Sequence, residues 1–292
     1  MSGQYHSVFE PGLFKGCHFL VTGGGSGIGR CIAHEVAHLG ARTLIMGRTE
    51  SKLYRVASEI AEDGGEADYV VCDVRDEVQV NKLVKERCEQ KPINGLVNCA
   101  GGQFPALLSE MSVRGFEAVV KNNLSSAFIV SLVVYEHAMK DNGGAIVNIT
   151  ADQEGGMPLM GHSGAARAGV ENLTATAALE WAAEGIRVNA VAPGYIESSG
   201  FDTYTDERMT RAIREFPRYT PLGRYGLESE ISAATCFLLS PAAAFITGQV
   251  LRVDGGFSLN TNTPMLLQGE DPKPQRSYDG FHRRVVPGIL SD

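Results

Sequence analysis

Three polar side chains stand four residues apart in the stretch 161–185: Ser163, Arg167 and Glu171. Side chains at this spacing share one face of an α-helix, so the sequence predicts a hydroxyl, a guanidinium and a carboxyl side by side. His162 adds an imidazole at the same end. These groups could donate hydrogen bonds to a ligand oxygen. In an ordinary surface helix, Arg167 and Glu171 would instead form an ion pair.

The same stretch predicts the helix that positions these groups. Val170, Ala177 and Trp181 belong to an apolar stripe with three- and four-residue steps. Residues 161–169 are mostly small, so another backbone or a flat ligand could lie against this end of the helix. Gly185 predicts the end of the helix.

The composition indicates a globular protein of one or two domains. The chain has 292 residues, of which 43% are hydrophobic and 21% charged, and its net charge is −8. This balance argues against a general nucleic-acid binder. The six cysteines show no CxxC spacing and the seven histidines form no HExxH, so we expect reduced cysteines and no metal site.

The N-terminus and the apolar stretches favour a cytoplasmic protein. Residues 1–12 lack a basic start followed by an apolar run, so we expect no signal peptide. The longest apolar stretch, at about 127–135, is too short to span a bilayer, and we expect no membrane segment.

Apolar runs and helical patterns alternate along the chain. The predicted strands cover 18–22, 41–46, 68–72, 93–98, 145–150, 186–191 and 249–253, and the predicted helices cover 27–39, 50–62, 76–90, 113–139, 161–185, 205–214 and 228–239. The strands are nearly continuous apolar runs with short connections between them. This pattern predicts an α/β fold, a parallel sheet with helices on both faces.

A glycine-rich turn, Thr22-Gly-Gly-Gly-Ser-Gly-Ile-Gly29, follows the first strand and opens the first helix. Glycines there permit a tight turn, and the helix N-terminus offers N–H groups to a pyrophosphate. Because the turn has the strand–turn–helix context that the motif requires, we predict a dinucleotide site.

The end of the second strand predicts which dinucleotide is preferred. An acidic residue there would accept the 2′-hydroxyl of NAD(H), whereas a basic residue tolerates the 2′-phosphate of NADP(H). The chain has Gly47 and Arg48 at this point, with Arg30 just past the glycine turn, so we predict NADP(H). Asp73-Val74 suits the adenine edge, and the small-residue turn 98–101 lets the cofactor pass.

The order of these motifs resembles the short-chain dehydrogenase/reductase family. The resemblance adds Asn123-Leu124, the run 146–150, Pro193-Gly194 and the run 253–256, and it covers about residues 12–258. It implies a single Rossmann-type domain with strand order 3-2-1-4-5-6-7, NAD(P)(H) binding and a homotetramer. The cofactor-binding residues it implies, together with those predicted above, are Thr22, Gly23, Gly25, Ser26, Gly27, Ile28, Gly29, Arg48, Asp73, Val74, Asn98, Ala100, Gly101, Arg167, Pro193, Gly194, Ile196 and Ser198.

The family's catalytic set of Asn, Ser, Tyr and Lys is not retained. The Asn corresponds to Asn123, but Ser163 stands at the tyrosine position and Arg167 at the lysine position. The serine falls at Thr150 or Ala151. A serine hydroxyl is a far weaker acid than a phenol, and arginine stays protonated. We therefore expect Asn123, Thr150, Ser163 and Arg167 to form a site in which ketone chemistry is impaired or the acid has moved.

Two branches of the family share local segments with this chain. Residues 101–104, 162–170 and 238–248 resemble peroxisomal-type trans-2-enoyl-CoA reductases, which implies reduction of a hydrophobic α,β-unsaturated thioester. Residues 194–200 and 278–282 resemble bacterial citronellol/citronellal dehydrogenases, which implies oxidation of a terpenoid or long-chain alcohol or aldehyde. A third hypothesis is an NADP(H)-binding protein that has lost its chemistry.

The tyrosines of related enzymes are also absent at two alternative positions. In the enoyl-CoA reductases a tyrosine stands four residues after the arginine, where this chain has Glu171. In 2,4-dienoyl-CoA reductases it lies in the loop after the fifth strand, where this chain has Asp152. Asp152, Glu171 and Tyr195 are therefore reserve proton donors.

The remaining segments predict a cover and an arm. Residues 197–220 are polar with a helical patch, and we expect them to form a substrate lid. Residues 259–292 form the C-terminal tail, and Asn, Thr, Pro, Gly and charged residues dominate in 260–280. They predict an irregular arm on this domain or on a neighbouring subunit, or else a disordered tail.

Overall fold

The structure is a computed structural model, and it describes residues 4–259 and 276–291. Its strands are β1 His18–Thr22, β2 Arg42–Gly47, β3 Glu66–Val71, β4 Gly95–Asn98, β5 Gly144–Ile149, β6 Ile186–Pro193, β7 Ile196–Glu197, β8 Gly226–Leu227 and β9 Val250–Val253. Its α-helices are α1 Gly27–His38, α2 Glu50–Glu62, α3 Glu77–Gln90, α4 Val113–Val120, α5 Ser126–Val134, α6 Lys140–Asn142, α7 Gly161–Glu180, α8 Glu207–Tyr219 and α9 Glu228–Leu239.

Seven strands form one parallel sheet in the order β3-β2-β1-β4-β5-β6-β9. This confirms the predicted Rossmann-type fold and strand order, with β9 as the seventh strand of the sequence pattern. The sequence did not predict β7 and β8, which pair in a separate two-stranded sheet. Each has only two residues, too few to show the alternation of a strand.

The continuous apolar strands are explained by two cores, one on each face of the sheet. Leu20 faces one core and its neighbour Val21 the other, and Ile146 and Val147 are divided in the same way. Successive side chains of a strand point to opposite faces, so a sheet covered on both sides needs apolar residues at every position. Helices α1, α2 and α9 supply one core, and α3, α5 and α7 the other.

Helices α4, α5 and α6 are parts of one continuous helix, Val113–Asn142, joined by π-helical turns at Lys121–Ser125 and Tyr135–Met139. By length and composition this helix could cross a membrane, which the stretch 127–135 did not suggest. Its residues Val130 and Val133 are buried in the core. A core helix of a globular protein meets the same criterion, so the absence of a membrane segment stays a prediction.

Helix α7 begins at Gly161, as predicted, but it is shorter than the stretch 161–185. The α-helix ends at Glu180, and Ala182–Glu184 continue as a 3₁₀ turn. Gly185 then adopts the left-handed conformation, with φ of 72°, and leads into β6. A glycine there carries no Cβ penalty, which is why it closes the helical region.

The described part of the C-terminal arm, residues 276–291, lies on its own domain. It is irregular apart from a 3₁₀ turn at Gly288–Leu290. Phe281 is buried, with its ring 5.0 Å from the His34 ring and 5.7 Å from the Tyr5 ring. Arg283 pairs with Asp63 at 2.8 Å. Residues 260–275 of the predicted arm lie outside the described residues.

Removal of the Phe281 ring should therefore destabilise the whole domain. We expect Phe281→Ala to lower the free energy of unfolding by about 3 kcal/mol, because it leaves a cavity against α1. Urea denaturation followed by circular dichroism would measure the change. Val285→Ala is the matched control, since Val285 is exposed in the same arm and should change stability by less than about 0.5 kcal/mol. Equal effects of the two variants would show that the arm is not docked.

Candidate active site

The site lies at the carboxyl ends of β1, β4, β5 and β6, where the strand order reverses between β1 and β4. Thr22, at the end of β1, joins the first two of these strands. Its Oγ1 accepts hydrogen bonds from the N–H groups of Cys99 at 3.0 Å and Ala100 at 3.1 Å, and donates to the carbonyl of Val97 at 3.3 Å. Ligands of open parallel sheets bind in the crevice beyond such a reversal.

The glycine turn before α1 leaves no room for side chains at two positions. A Cβ on Gly23 would lie 2.9 Å from Ala100 Cα, and one on Gly29 would lie 2.5 Å from the Gly23 carbonyl oxygen. Ser26 is the N-cap, but its side chain does not cap the helix, and the first turn has no acidic residue. The free N–H groups and the helix dipole fit a pyrophosphate. Gly25, Gly27 and Ile28 lie in the same turn.

The predicted adenosine residues lie at the ends of β2 and β3. Arg48 is exposed just after β2. Asp73 is held by Arg75, whose Nη2 lies 2.6 Å from Asp73 Oδ2, and this pairing lowers the pKa of Asp73 to about 2. Val74 is buried beside it. The carboxylate is therefore ionised and already paired, and Arg48 is the cation open to a ligand.

The expectation that Arg30 also faces the ribose is wrong. Its Nε donates to Glu59 at 2.8 Å, its Nη1 donates to the carbonyl of Arg283 at 3.1 Å, and its guanidinium lies 5.0 Å from the Phe281 ring centre. Arg30 thus faces α2 and the C-terminal arm. Residues one helix position apart point about 100° apart, so nearness in sequence to the glycine turn did not fix the direction.

Arg167 lies in the crevice, beside the ends of β4 and β5. Its Nη1 donates to the carbonyl of Ile149 at 2.8 Å, and a Cβ on Gly101 would lie 2.5 Å from Nη2. Its Nε is buried and finds no hydrogen-bond partner among the described residues. Burial lowers the Arg167 pKa, but arginine remains charged in proteins. A guanidinium whose buried Nε–H lacks a partner, beside a glycine, fits a ribose or another oxygen-rich ligand.

The ordinary ion pair between Arg167 and Glu171 does not form. Glu171 accepts instead from Thr150 Oγ1 at 3.2 Å and from Gln153 Nε2 at 3.0 Å. Thr150 Oγ1 also lies 3.2 Å from the carbonyl of Val191. Burial raises the Glu171 pKa in spite of these bonds. The two charged residues share the predicted helix face, but their long side chains reach different strand ends.

Asn123 occupies the π-helical turn Lys121–Ser125 and is buried. Its Oδ1 accepts from the Gly102 N–H at 2.9 Å, so it fixes the loop after β4. A π-helical turn inserts a residue into a helix and is frequent at functional sites. Asn98, by contrast, faces the sheet interior, where its Nδ2 donates to Ser131 and Asn148, both at 2.8 Å.

Ser163 is fully buried, and its hydroxyl is already committed. Its Oγ donates to Gln103 Oε1 at 2.7 Å. The adjacent His162 uses Nδ1 to accept from the Ser163 N–H at 2.8 Å, and its ring packs 4.5 Å from Phe104. Burial lowers the His162 pKa, which favours the neutral imidazole. Neither Ser163, at the family's tyrosine position, nor the adjacent His162 carries an acidic proton that is free for transfer.

Two of the reserve donors, Asp152 and Tyr195, are only partly exposed. Asp152 has a buried carboxyl whose nearest cation is Arg252, with Nε 3.9 Å from Oδ1, and burial raises its pKa. Tyr195 is stacked on Phe216 at 3.7 Å and packs edge-on to Phe257 at 4.7 Å. Burial and the charge of Asp152 raise the Tyr195 pKa to about 12.

The end of β6 carries the remaining predicted residues. Pro193 ends the strand, and Gly194 donates from its N–H to Val253 at 3.1 Å. A Cβ on Gly194 would lie 2.7 Å from Asp254 Cα, so the chain turns tightly there. Ile196 is buried in β7, and the Ser198 carbonyl accepts from the Phe201 N–H at 3.0 Å, where the predicted lid begins.

Three residues near the crevice received no role from the sequence: Gln103, Tyr204 and Glu228. Gln103 links Ser163 to Tyr204, whose hydroxyl accepts from Gln103 Nε2 at 3.0 Å. Glu228 Oε1 lies 3.8 Å from the point where a Cβ on Gly27 would stand. The signal for Tyr204 was its place in the predicted lid. Glu228 gave no such signal, because acidic residues are common in the first turn of a helix.

A family model described as "Enoyl-(Acyl carrier protein) reductase" matches residues 23–258. The chain belongs to the short-chain dehydrogenase/reductase family, and it is an oxidoreductase of that type. It is similar to mouse peroxisomal 2,4-dienoyl-CoA reductase [(3E)-enoyl-CoA-producing], 37% identical over 257 residues that cover 87% of each chain.

Two solved structures extend the comparison. The chain is 50% identical to the citronellol catabolism dehydrogenase of Pseudomonas aeruginosa PAO1, with a TM-score of 0.78, and the match covers 87% of this chain and 100% of that one. A structure from Beutenbergia cavernae with bound NADP at low occupancy is 34% identical, also with a TM-score of 0.78, over 85% of this chain and 99% of that one. Within residues 4–259 and 276–291, no cluster of side chains could hold a metal ion.

The buried carboxyl of Glu228 predicts that cofactor affinity depends on pH. Burial and the nearby Glu197 raise its pKa to about 7, in spite of Arg30 and Arg284. The carboxyl is neutral below this value and negative above it, so it repels a pyrophosphate at α1 as the pH rises. The pyrophosphate of NAD⁺ does not titrate in this range. We expect NAD⁺ to bind about tenfold more weakly at pH 8.5 than at pH 6, which corresponds to a rise of about one unit in the Glu228 pKa when the nucleotide binds.

Calorimetric titration of NAD⁺ across this range would measure the effect. Glu228→Gln should give a flat profile, while Glu180→Gln, which changes an exposed acid on α7, should keep the slope of the original chain. An equal slope for Glu228→Gln would show that another group causes the dependence.

Proposed function

We propose that this chain is an NADP(H)-dependent reductase of a hydrophobic α,β-unsaturated thioester of the enoyl-CoA class. The observation that carries the proposal is the pair Ser163 and Arg167 at the positions of the family's tyrosine and lysine. The first is a buried hydroxyl that donates to Gln103, and the second is a permanent cation. A permanent cation without a free acid on α7 suits a reaction that needs stabilisation of charge on an oxygen more than rapid protonation of an alkoxide.

The cofactor and the residues of the site would have separate tasks in this reaction. The cofactor supplies a hydride, which in a conjugated thioester adds to the β-carbon, and negative charge then develops on the thioester oxygen. Arg167 would hold the nicotinamide ribose, and Asn123 fixes the loop after β4. The sequence offered Thr150, Ser163 and His162 as donors to the substrate oxygen, but the proton of Ser163 is used in its bond to Gln103. Proton transfer to the α-carbon is a separate step, so the acid need not lie on α7.

The surroundings of the crevice favour an apolar substrate. Phe104, Leu107 and Leu108 are exposed in the loop after β4, although they are large and apolar. Leu108 packs on the start of α7, with a side-chain carbon 2.7 Å from the point where a Cβ on Gly161 would stand. Exposed apolar groups at the rim of a cleft are typical of a ligand surface. An acyl chain would cover them.

The relatives support two substrate classes. A dienoyl-CoA reductase among them favours the thioester. The citronellol catabolism dehydrogenase, at 50% identity, favours the second candidate, oxidation of a terpenoid or long-chain alcohol or aldehyde. A protein that binds NADP(H) without turnover is the third candidate.

We also propose a cytoplasmic homotetramer that binds neither nucleic acid nor membranes. An exposed groove between the helix Val113–Asn142 and α7 includes Leu124, Phe128 and Leu173, which suits helix packing against a second copy. Sedimentation velocity would test the assembly, and a monomeric mass would contradict it.

A substrate panel tests the proposed function. Crotonyl-CoA, longer straight-chain enoyl-CoAs and branched enoyl-CoAs would be assayed for NADPH oxidation, and citronellol and citronellal for reduction of NADP⁺ and NAD⁺. We expect turnover of the longer enoyl-CoAs, because the crevice rim is apolar. Turnover of citronellol alone would favour the second candidate. Tight NADPH binding without turnover on the whole panel would favour the third.

Arg48 should determine the preference for NADP(H). We expect Arg48→Ala to weaken NADPH binding by about tenfold or more and to leave NADH binding within twofold, because only the former loses a charge-assisted bond to the 2′-phosphate. Arg55→Ala removes an exposed arginine from α2 and is the control. Calorimetry with both nucleotides measures the difference, and equal losses for NADPH and NADH would contradict this role.

A further inference from the structure

A hydrogen-bonded path leads from the family's tyrosine position to a phenol on another element. Ser163 Oγ donates to Gln103 Oε1 at 2.7 Å, and Gln103 Nε2 donates to the Tyr204 hydroxyl at 3.0 Å. Gln103 lies in the loop after β4, and Tyr204 lies between β7 and α8. The phenol therefore reaches the start of α7 from the lid, across one side-chain amide.

The direction of these bonds determines which hydroxyl can donate a hydrogen bond to a ligand. The proton of Ser163 is used in its bond to Gln103, so Ser163 can only accept from a ligand. The oxygen of Tyr204 accepts from Gln103, and none of the described residues accepts its proton. Tyr204 is thus the hydroxyl of the pair with a donor left for a substrate oxygen or carbon.

The same bond prepares Tyr204 for the loss of its proton. An amide N–H that points at the phenol oxygen stabilises the phenolate more than the phenol. Burial raises the Tyr204 pKa overall, and the bond from Gln103 offsets part of that rise. Ser163 in turn fixes the amide, since its hydroxyl donates to the amide oxygen and leaves the N–H side for Tyr204. The serine therefore keeps an indirect role at the tyrosine position.

The lid holds Tyr204 in place through packing and charge. Met160, Met209 and Ile213 form a buried apolar cluster, and Tyr204 packs on it. Asp206, two residues after Tyr204, is the N-cap of α8. Arg208 then joins the lid to the opposite rim, with Nη2 3.1 Å from Glu110 Oε2. Because this ion pair is exposed, it contributes little to stability.

We propose that Tyr204 is the proton donor of this enzyme, carried by the lid and oriented by Gln103 in place of the family's helix tyrosine. The assignment rests on the proposed reduction. NADPH would supply the hydride for the new C–H bond at the β-carbon, and the π electrons of the C=C bond would move towards the thioester carbonyl, whose oxygen would accept a hydrogen bond from Tyr204. The α-carbon then takes the phenol proton, and water reprotonates the phenolate. The balance is enoyl thioester, NADPH and H⁺ to acyl thioester and NADP⁺.

Tyr204→Phe tests the assignment, assayed with the substrate of the panel that the unmodified protein turns over fastest. We expect kcat to fall by about 100-fold or more, with the Kd of NADPH within twofold. We also expect the decline of kcat/KM at high pH, caused by ionisation of the phenol, to disappear. Tyr54→Phe removes an exposed phenol from α2 and should change none of these quantities.

Gln103→Leu separates a positioning role from a structural one. Loss of the amide N–H should move the high-pH decline of kcat/KM to higher pH, because the phenolate loses its stabilising bond. Asp152→Asn is assayed in parallel. A Tyr204→Phe variant that retains more than a third of kcat with an unchanged pH profile overturns the proposal, as does a loss of the profile in Asp152→Asn alone.

The two hypotheses fail in different ways. If the unmodified protein reduces an enoyl-CoA and Tyr204→Phe does so equally well, only the role of Tyr204 is refuted. If the unmodified protein turns over nothing in the panel, the proposed function is refuted. The assignment of Tyr204 as its proton donor is then refuted as well.

Discussion

The hydroxyl of Thr22 holds the crevice together. It accepts two N–H groups from the turn after β4 and lies at the end of β1, so it joins the two strands between which the sheet order reverses. Because these two strand ends lie so close together, Gly23 has no room for a side chain: a Cβ there would lie 2.9 Å from Ala100 Cα. A nucleotide-binding turn and the loop that carries Gly101 and Gln103 are thereby placed at one edge of the sheet.

The centre of the site shows how a missing residue type can be compensated. The family's tyrosine and lysine form a self-contained pair on one helix. Here Ser163 and Arg167 keep that spacing, but the serine donates to Gln103 and the guanidinium donates to the carbonyl of Ile149. Binding and acid–base roles are then free to separate: the cation stays on α7, and the phenol of Tyr204 comes from the lid. This arrangement couples proton donation to lid position.

The lid and the described part of the C-terminal arm contact each other and form one cover. Arg284 of the arm pairs with Glu197 at the start of the lid, and Ile289 and Leu290 pack on the cluster beneath α8. Arg30, which the sequence assigned to the cofactor, serves this cover instead through its contacts with Glu59 and the arm. Stability of the arm and order in the lid are therefore linked, although they are separated along the chain.

The sequence by itself determined the sheet and the place of the nucleotide turn. Continuous apolar strands between short connections allow few folds other than a parallel sheet covered on both faces, and the glycines of 22–29 have few uses outside such a turn. It also determined what is absent, a phenol four residues before Arg167. Those features depend on local pattern and on residue type.

Only the tertiary structure decided which long side chains meet. The sequence placed Arg167 and Glu171 on one face, but the strand ends nearby offered the carbonyl of Ile149 to one and Thr150 to the other. The link from Ser163 to Tyr204 crosses three segments that lie far apart in the chain, so no spacing rule could give it. Side-chain direction over several rotatable bonds is set by packing, and packing exists only once the sheet has brought these segments together.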